Sequence, residues 1–559
     1  MKNWNVLCVY QPGVDVVSEL LKNRGIAPED KAEFLAPAPL AKYIKELSAD
    51  FRKALVQAKD LILKAIAKDV PIVIHGDYDA DGICATAILY QTLTQTLGYT
   101  KTMYFLPNRF DQGYGLSKDS VDTIWHTIQK TYGTKSGLII PGLIITVDCG
   151  ITAEPEVIHQ LKALGLDIII TDHHQKKSQL PKADVLVWTD QMVGSGVALA
   201  LSLVLGLRDE RLVSLAGLAT ITDLGLLKGF NRALVRKALE ILNTNPPLGI
   251  KKLLEVSGRT GGEITTYDAG YVIGPRLNAS GRLESAYASL FLLLDEDPQK
   301  VTEFAQKLHV VNIERQDMTQ KLYSLAQTLL TEQKSLENKI VICSHKDFHE
   351  GVIGLVAGKL AQSQHRPAVV ISSLENGGKG SARSVPGLNI IDLLRSFEHL
   401  FESMGGHPMA AGFTLKKGML DQFIQEFTAH ANKVVDAALL IPTITVDMEI
   451  PLPSVTVDFV CELNRLRPFG VGNPEPVFLS RAVSVVGNDF VGREGNHLSL
   501  KLFAGAGQTS YKAIYFDARN QGVSTFGLGT KLDLVYSLAL KDYNGKSYVD
   551  LIVKDFRIL

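Results

Sequence analysis

The segment His75–Gly82, which reads HGDYDADG, concentrates the acidic side chains of this chain that are best suited to chemistry. It follows a short apolar run and places Asp77, Asp79 and Asp81 at alternate positions, so their carboxylates can project from one side of an extended backbone. Carboxylates this close together repel one another and are stable as a group only when cations neutralise them. Oxygen ligands beside a histidine suit Mn²⁺ or Mg²⁺ better than a metal that prefers thiolates. The segment therefore indicates a site for divalent cations.

Three further acidic or histidine motifs occur in comparable positions along the chain. Asp148 closes the run ITVD, the run IIITDHH ends on Asp172, His173 and His174, and Asp223 stands in the apolar stretch ATITDLGLL. In an open parallel sheet, ligands bind outside the carboxyl ends of the strands, so motifs at several such ends converge on one site. A single strand-terminal aspartate is most often a helix cap and a single histidine pair is most often structural, but neither interpretation explains four motifs in register. A carboxylate at position 223 is also unfavourable to bury unless it is paired or bound to a metal.

Short β-branched runs alternate with helical stretches around these motifs. The predicted strands are Pro71–His75, Leu143–Val147, Leu166–Ile170 and Val185–Trp188, and the predicted helices include Ile83–Leu97 and Glu156–Leu164. Strands this apolar that alternate with helices indicate a parallel sheet covered on both faces. The fold class expected for this part of the chain is therefore α/β, with the acidic motifs at the carboxyl ends of the strands.

The rest of the chain contains a helical region, a second α/β unit and a β-rich end. Helical patterns dominate from residue 195 to residue 335, and the predicted strands Ile340–Cys343 and Ala368–Ser372 then flank a helix that begins near Gly354. From Thr443 onwards, short stretches of alternating apolar and polar residues are separated by glycine-rich turns, which predicts a small closed β-barrel. The predicted segments are a lead-in at 1–48, an α/β domain with a helical extension at 49–295, a connecting helix at 296–336, a smaller α/β domain at 337–435 and the barrel at 436–559.

Composition indicates a globular protein of several domains, since the 559 residues are 46% hydrophobic and 21% charged. The formal net charge is −1, so a surface that binds nucleic acid must be a local basic patch. The five cysteines are scattered and form no C-x-x-C pair, which argues against a disulfide framework and a structural zinc site. The N-terminus lacks the features of a signal peptide, and the apolar stretch Val193–Leu207 is too short to span a bilayer. We expect no membrane association and a cytoplasmic location.

Taken in order, HGDYDADG, Asp148, TDHH and Asp223 match the four motifs of the DHH phosphoesterases, and the chain resembles that superfamily. Further segments resemble the RecJ family of single-stranded-DNA exonucleases: NRFDQGYGLS (108–117), GPRLNASGRL (274–283), FHEGVIGLVAGKL (348–360), KGSARSVPG (379–387), ESMGGHPMAAG (402–412), RPFGVGNPEPVF (467–478) and VGREGNHL (491–498). The resemblance implies a DHH catalytic domain, a DHH-associated substrate-binding domain at 337–435 and an OB-fold in the C-terminal barrel. The stretch Leu224–Leu227 departs from the family pattern, and residues 1–48 carry no match.

The resemblance also implies roles around the metals. Two Mn²⁺ or Mg²⁺ ions would be bound by Asp79, Asp81, Asp148, His173 and Asp223, with His75 matching a ligand of some superfamily members. Asp77 would be a ligand or a group that orients histidine or water, and Asp172 would orient the histidine pair. His174 would contact the scissile phosphate or help to protonate the leaving 3′ oxygen. Two such ions can activate a water and clamp the attacking and leaving oxygens of an in-line displacement at phosphorus.

Residues of the smaller α/β domain and its neighbours are expected to bind the substrate. Ser381, Arg383 and Arg109 would hold the 5′ phosphate, because the planar guanidinium group matches phosphate oxygens. The strand or the domain interface would be contacted by Arg276, Asn278 and Arg282, the phosphodiester by Gly405, Gly406 and His407, and a base by Tyr114. Simpler interpretations stay open, which are an interdomain salt bridge for Arg109 and Arg276, a tight turn for Gly405 and Gly406, and core packing for Tyr114.

The function implied by the resemblance is 5′-to-3′ hydrolysis of single-stranded DNA to 5′-mononucleotides, in DNA repair and recombination. A narrow groove would exclude duplex DNA by its width, and the barrel would bind the strand. By family analogy, a single-strand-binding protein and a helicase are reasonable partners. Two alternatives remain, namely another DHH hydrolase, such as an oligoribonuclease or a nucleotide phosphatase, and a catalytically silent nucleic-acid-binding protein. The barrel and the RPFGVGNPEP stretch disfavour the first alternative, and the complete ligand set disfavours the second.

Overall fold

The computed structural model describes residues 2–113, 115–133, 141–333, 335–374, 377–503, 510–543 and 545–559. The chain divides into a larger unit, formed by Leu47–Asp223 and Lys237–Pro442, and a smaller unit, formed by Met1–Glu46, Leu224–Arg236 and Thr443–Leu559. None of the described helices has the length and apolar composition needed to cross a bilayer.

Strands and helices follow one another throughout the described chain. The strands are β1 (Asn3–Val6), β2 (Ile72–His75), β3 (Thr102–Phe105), β4 (Gly142–Val147), β5 (Leu166–Asp172), β6 (Val185–Trp188), β7 (Val341–His345), β8 (Ala368–Leu374), β9 (Gly377–Arg383), β10 (Phe401–His407), β11 (Ala410–Leu415), β12 (Thr443–Val446), β13 (Met448–Glu449), β14 (Phe478–Val491), β15 (His497–Phe503), β16 (Ser510–Tyr515), β17 (Lys531–Tyr543) and β18 (Lys546–Ile558). The helices are α1 (Val16–Asn23), α2 (Lys31–Leu35), α3 (Leu40–Glu46), α4 (Ala49–Ala67), α5 (Ala80–Gln91), α6 (Lys118–Tyr132), α7 (Pro155–Ala163), α8 (Gly194–Val204), α9 (Glu210–Thr222), α10 (Gly229–Thr244), α11 (Leu248–Val256), α12 (Gly274–Leu283), α13 (Tyr287–Leu294), α14 (Pro298–Glu332), α15 (Ile353–Gln364), α16 (Ile390–Arg395), α17 (Leu420–Val434) and α18 (Val457–Leu463). A short π-helical turn at Thr92–Thr96 follows α5, and a second one at Asp268–Ile273 precedes α12.

The first sheet of the larger unit is parallel and has the order β3-β2-β4-β5-β6. Every residue of β2 and β4 is buried, as expected for strands with helices on both faces. On one face, Val73 and Ile144 join a hydrophobic core with residues of α6 and α7, while the alternate residues Ile74 and Ile145 are fully buried on the other face. The predicted α/β fold is confirmed. Because β2, β4 and β5 are neighbours, their carboxyl ends lie side by side at one edge.

The second sheet of the larger unit has the order β10-β11-β9-β8-β7, with a parallel β7–β8 pair and antiparallel pairs elsewhere. Phe423 and Phe427 of α17 pack with Val369 and Ile371 of β8 in one core, and residues of α14 and α15 form a second core with β7 and β8. This is the predicted smaller α/β domain. The 35-residue helix α14 also packs against α12 and α13.

The smaller unit contains a barrel in which β14, β15, β16, β18 and β17 pair in that order and β17 pairs back with β14. Burial alternates along β15 and β16, as expected when one face of each strand lines a closed core. The predicted closed barrel is confirmed. The predicted lead-in at 1–48 contains β1, which pairs with β12, and Leu20 and Leu21 of α1, which join the barrel core. The predicted segment boundaries stay a prediction.

A buried arginine ties segments of the smaller unit together. Arg232 is 1% exposed, and its guanidinium lies over the ring of Phe34, with Cζ 3.7 Å from the ring centroid. It donates hydrogen bonds to the carbonyl oxygens of Phe34 at 2.7 Å, Leu466 and Arg467 at 3.0 Å each, and Pro468 at 3.3 Å. The residue thus joins the N-terminal segment to the start of the RPFGVGNPEP stretch.

Candidate metal centre and phosphate-binding residues

The acidic loop between β2 and α5 is held by hydrogen bonds to its own backbone. Asp79 is the N-cap of α5, and its Oδ1 accepts from the backbone N–H of Asp81 at 2.9 Å and of Gly82 at 3.1 Å. Asn278 Oδ1, on α12, accepts from the backbone N–H of Ala80 at 2.8 Å. The helix-cap interpretation therefore holds for Asp79, whose carboxylate is also one of the candidate metal ligands. Asn278, predicted to contact the substrate or the domain interface, contacts the loop backbone.

Asp81 is held by the first turn of α8. Its two carboxylate oxygens accept hydrogen bonds from Gly194 N at 2.7 Å and from Ser195 N at 2.8 Å. The N-terminus of a helix complements a negative charge, so α8 fixes the position of this side chain. A glycine is needed at position 194, since a Cβ there would lie 2.4 Å from Asp148 Oδ1.

Asp148 follows β4 in a left-handed backbone conformation, with a φ of 61°. Aspartate tolerates this conformation better than most residues, yet it remains unfavourable. The residue is 2% exposed and packs against the start of α8. Strain of this kind persists where the surrounding structure over-determines the backbone, and it is concentrated at functional sites.

His173 brings carboxylates from three parts of the larger unit together. Its Nε2 lies 3.1 Å from Asp148 Oδ1, 3.8 Å from Asp81 Oδ2 and 3.7 Å from Asp223 Oδ2. These aspartates come from the start of α5, from the end of β4 and from the C-cap of α9. The four motifs singled out in the sequence thus meet around one imidazole, although they are spread over about 150 residues of the chain.

Asp172 orients His174. Asp172 is 1% exposed, and its Oδ1 lies 2.8 Å from His174 Nδ1 and also accepts from the backbone N–H groups of His173 and His174. Its Oδ2 accepts from Ile151 N at 2.9 Å. Burial by itself lowers the pKa of His174, but the hydrogen bond with Asp172 and the charges of nearby carboxylates raise that pKa to about 9. The pair is therefore arranged to keep a proton on the imidazole.

The donor atoms around this site fit divalent cations. Burial, followed by repulsion from neighbouring carboxylates, raises the pKa values of Asp77, Asp148 and Asp223, the last to about 8. Asp77 Oδ1 and His75 Nε2 are buried and make no hydrogen bond within the described ranges. Burial also lowers the pKa of His75 to about 4, which keeps its ring neutral near pH 7 and able to bind a metal. Cations would relieve the repulsion between the carboxylates and engage these donors.

Candidate ligand atoms lie within 4.8 Å of one another in three groups of the described residues: Asp77, Asp79 and Asp148; Asp81, His173 and Asp223; and Asp148, His173 and His174. Asp148 belongs to two of the groups, as expected for a ligand that bridges two ions. Asp77 stands among the ligand candidates of the first group. His75 belongs to none of the three, and its role as a ligand stays a prediction.

Arg109, Ser381 and Arg383 gather beside the acidic loop. The guanidinium of Arg109 lies over the ring of Tyr78, with Cζ 4.4 Å from the centroid. Arg383 Nη1 donates to Ser381 Oγ at 3.0 Å, and a Cβ on Gly354 at the start of α15 would lie 2.7 Å from Arg383 Nη2. The side chain of Arg383 is thus confined between β9 and α15.

The arginines near this point have no acidic partner among the described residues. Burial and the charges of Arg109, Arg315 and Arg383 lower the pKa of Arg282 to about 10. Within the described part of the chain, neither these four arginines nor Arg276 forms an ion pair with a carboxylate. The salt-bridge interpretation of Arg109 and Arg276 is therefore not supported by any ion pair among the described residues. Asp77 and Asp79 act on Arg109 and Arg282 without forming an ion pair with them, so a group of like charges with no carboxylate in direct contact indicates a site for an anion.

The β10–β11 hairpin brings a further imidazole to the metal centre. The ring of His407, at the end of β10, lies roughly parallel to that of His174, with centroids 5.9 Å apart and an interplanar angle of 30°. Gly405 and Gly406 lie within β10, and the turn falls after them at residues 408–409, so the tight-turn interpretation of the two glycines is wrong. Tyr114, predicted to stack on a base, lies outside the described residues.

Several residues beside the site were not predicted from the sequence. Gly194 lies in the apolar stretch that follows β6, and nothing in its local sequence links it to Asp148. The ring of His349 packs edge-on to that of Phe110, with centroids 5.9 Å apart. His349 belongs to the FHEGVIG segment, for which the sequence predicts no role. Asn312 and Arg315 stand in the middle of α14, where charged residues are common and no motif marks them.

Family models match three stretches of the chain. Residues 71–225 match the DHH family, N-terminal domain, and residues 337–435 match the DHHA1 domain. Residues 446–555 match the RecJ OB domain. The three stretches correspond to the parallel-sheet domain, the second sheet with its helices, and the barrel.

Similar proteins match over most of the chain. The single-stranded-DNA-specific exonuclease RecJ of Bacillus subtilis is 32% identical over 97% of this chain and 67% of its own length, and RecJ of Salmonella typhimurium is 30% identical over 89% of both chains. The crystal structure of RecJ from Thermus thermophilus in complex with Mn²⁺ superimposes with a TM-score of 0.80 at 28% identity, covering 99% of this chain and 79% of that one. Its Mg²⁺ complex superimposes with a TM-score of 0.71 at 26% identity, covering 99% and 78%.

Proposed function

Since the chain belongs to the RecJ family of single-stranded-DNA-specific exonucleases, we propose that it removes 5′-mononucleotides successively from the 5′ end of single-stranded DNA. It is a metal-dependent hydrolase of the DHH family, and Mn²⁺ or Mg²⁺ is its cofactor. The observation that carries the proposal is the meeting of two kinds of site in the larger unit, a carboxylate–histidine cluster and a group of arginines without acidic partners in the described ranges.

The residues proposed to hold two metal ions are Asp79, Asp81, Asp148, His173 and Asp223, together with Asp77 and His75. When bound, such ions activate a water and neutralise charge that develops on the phosphoryl oxygens. The protein contributes rigid placement, because Asp81 is fixed by α8 and Asp79 by the first turn of α5. Placement of this kind reduces the reorganisation required at the moment of reaction.

The proposed proton donor is His174. Its Nδ1–H donates to Asp172, which leaves Nε2 as the ring nitrogen that delivers a proton to the leaving 3′ oxygen. The hydrogen bond with Asp172, which raises the pKa of His174 against the effect of burial, supports this role. His407, whose ring lies beside that of His174, is proposed to contact the phosphodiester together with the backbone of Gly405 and Gly406.

The 5′ end is proposed to be recognised by Arg109, Ser381 and Arg383. Guanidinium groups bind a phosphate through two hydrogen bonds at once, and a terminal phosphate carries more charge than an internal one. Arg282 adds positive charge next to this group. A terminal phosphate held by these residues, with the adjacent phosphodiester at the metal ligands, would account for release of mononucleotides from that end.

The strand beyond the catalytic residues is proposed to bind the OB barrel of the smaller unit, since OB-folds bind single strands through stacking and local positive charge. A single-strand-binding protein and a helicase are proposed as partners, and DNA repair and recombination in the cytoplasm as the setting. The match of residues 446–555 to the RecJ OB domain favours the exonuclease over an oligoribonuclease, a nucleotide phosphatase or a silent binding protein.

The test uses single-stranded DNA labelled at the 5′ or the 3′ end, with Mn²⁺, beside a duplex of the same sequence. We expect early release of a 5′-labelled mononucleotide from the single strand only. Asp148→Ala is expected to abolish release, whereas Asp392→Ala, which alters an exposed aspartate of α16, is expected to retain it. Cleavage that starts at the 3′ end, or equal cleavage of the duplex, would contradict the proposal.

A further inference from the structure

A polar stripe on α14, formed by His309, Asn312 and Arg315, faces the arginines of α12 and extends the arginine group beside the acidic loop. His309, Asn312 and Arg315 follow one another at intervals of three residues, which keeps them along one side of the helix. The helix α12, which carries Arg276 and Arg282, packs against α14. The stripe therefore adds Asn312 and Arg315 to the polar groups that surround Arg282.

Asn312 anchors this stripe. It is 1% exposed, and its Oδ1 accepts from Arg315 Nε at 3.2 Å and from Nη2 at 3.0 Å, which fixes the plane of the guanidinium. The amide nitrogen Nδ2 of Asn312 is buried and has no hydrogen-bond partner among the described residues. A buried donor without an acceptor is unfavourable, so this atom indicates an acceptor other than the described residues.

Arg276 is fixed in a similar way. Its Nε and Nη2 lie 3.3 Å and 3.2 Å from His309 Nδ1, and its Nη1 donates to the carbonyl oxygen of Val272 at 2.7 Å. Its contact with His309, one turn before Asn312 on α14, places Arg276 beside the stripe, and burial followed by the charge of Arg276 lowers the pKa of Arg315. With no carboxylate paired to either group in the described ranges, an anion is the ligand that would stabilise the pair.

We propose that Arg276, Asn312 and Arg315 form a second phosphoryl-binding subsite, distinct from the residues that hold the 5′-terminal phosphate. The ligand is a phosphoryl group whose oxygens accept hydrogen bonds from both guanidinium groups and from Asn312 Nδ2. Two sources offer this chemistry, namely a phosphodiester of the bound strand and a free or terminal polyphosphate. The first source rests on the proposed function, because the strand is then the substrate itself.

The decisive measurement is binding without cleavage. The full chain in EDTA is titrated into a fluorescent, 5′-phosphorylated single strand, and the dissociation constant is followed by anisotropy over a range of salt concentrations. Arg315→Met is expected to weaken binding about ten-fold or more, because it removes a charge-assisted contact. The slope of log K against log salt should fall by about 0.7, the value expected for one lost contact to a single strand.

Two further variants separate recognition from folding. Arg395→Met removes one positive charge from the exposed Arg395–Asp392 pair of α16 and is expected to leave both the dissociation constant and the slope unchanged. Asn312→Asp keeps the acceptor for Arg315 but adds a carboxylate that neutralises it, so binding should weaken as in Arg315→Met while the melting temperature does not fall. Wild-type affinity and salt slope in both Arg315→Met and Asn312→Asp would overturn the subsite.

The source of the phosphoryl group is identified by two probes. The first probe is a set of strands, each of which carries one neutral methylphosphonate linkage at a different position. At one position the linkage should weaken binding to the wild type, and the same strand should bind Arg315→Met as tightly as the unmodified strand does. If no linkage does so, but inorganic pyrophosphate binds the wild type and not Arg315→Met in calorimetry, the ligand is a free or terminal polyphosphate. If neither probe depends on Arg315, the subsite is refuted. Absence of cleavage by the wild type in Mn²⁺ would instead refute the proposed function and leave these binding results valid.

Discussion

Replacing Gly194 with alanine tests whether the close approach of α8 to Asp148 sets the geometry of the metal centre. A Cβ at position 194 would lie 2.4 Å from Asp148 Oδ1 and 2.5 Å from its Cβ, whereas ordinary contact begins at 3.4 Å. The helix and the aspartate must therefore separate by about 1 Å, and a shift of this size lowers the rate of a catalytic site by about 100-fold. Because Gly194 N also donates to Asp81, the shift reaches two of the predicted ligands. Crowding in the packed interior should also lower the free energy of unfolding by about 1–3 kcal/mol.

The assay compares the initial rate on a 5′-phosphorylated single strand, the affinity for Mn²⁺ measured by electron paramagnetic resonance, and the melting temperature. Gly358→Ala is the matched control, because Gly358 lies within α15 and a Cβ there would meet no atom within 4 Å. This control should keep its activity and Mn²⁺ affinity and gain about 0.5–1 kcal/mol of stability from its higher helix propensity. A Gly194→Ala protein with the wild-type rate and Mn²⁺ affinity would refute the reasoning. A lower rate with unchanged Mn²⁺ affinity would show that ligand geometry is not the cause.

Four further predictions follow from the contacts described above. Asp172→Asn should lower kcat about 100-fold or more with little change in the affinity for single-stranded DNA, because His174 loses the partner that holds its proton; a larger loss of affinity than of kcat would contradict this. Mn²⁺ binding near pH 7 should release protons, because burial and neighbouring carboxylates raise the pKa of Asp223 to about 8; calorimetric heats that do not vary with the ionisation enthalpy of the buffer would exclude it. Arg232→Met should lower the free energy of unfolding of the smaller unit by about 3 kcal/mol in urea titrations, while Mn²⁺ affinity stays unchanged, since the carbonyl groups of Phe34 and Arg467 lose their side-chain donor and those of Leu466 and Pro468 keep only Asn473. Hydrogen bonds from Arg259 and Thr265 lower the pKa of Asp268 against the opposing effect of burial, so this carboxylate stabilises the fold above its ordinary pKa and loses its effect as the pH falls through the lowered value. The difference in melting temperature between the wild type and Asp268→Asn should therefore narrow below about pH 4, and a difference independent of pH would exclude the linkage.

The acidic motifs show how far local sequence leads towards a site. Alternation of Asp77, Asp79 and Asp81 after a buried strand predicted a carboxylate cluster, and the structure places all three within two of the candidate ligand groups. The two interpretations of Asp79, as a helix cap and as a ligand, are compatible. The cap uses Oδ1 as the hydrogen-bond acceptor, and the same carboxylate has a second oxygen, Oδ2. The expected extended backbone is wrong for Asp81, because β2 ends at His75 and α5 begins at Ala80, which puts Asp81 in the first turn of the helix. Local sequence still identifies these residues, because the acidic motif and the helix start are encoded by contiguous residues.

Contacts between distant segments could not be predicted from local sequence patterns. Gly194 supports Asp81 across 113 positions of the chain, and only the packing of α8 against α5 reveals why position 194 tolerates no side chain. Arg315 is one of many charged residues on a long helix, and its place beside the arginines of α12 depends on how α12 packs along α14. The first 46 residues matched no motif, yet Leu20 and Leu21 complete the barrel core.

The sequence by itself determined the α/β class, the closed barrel, the order of the domains and the acidic and histidine side chains, because each depends on periodicity or on a short motif. Tertiary structure alone decided which helix start holds Asp81, how closely His173 approaches Asp148, and which arginines of the described ranges are left without acidic partners. The physical reason is that distances, burial and pKa shifts arise from side chains that are far apart along the chain. Their relative positions are set by the packing of whole helices and strands, which no local pattern specifies.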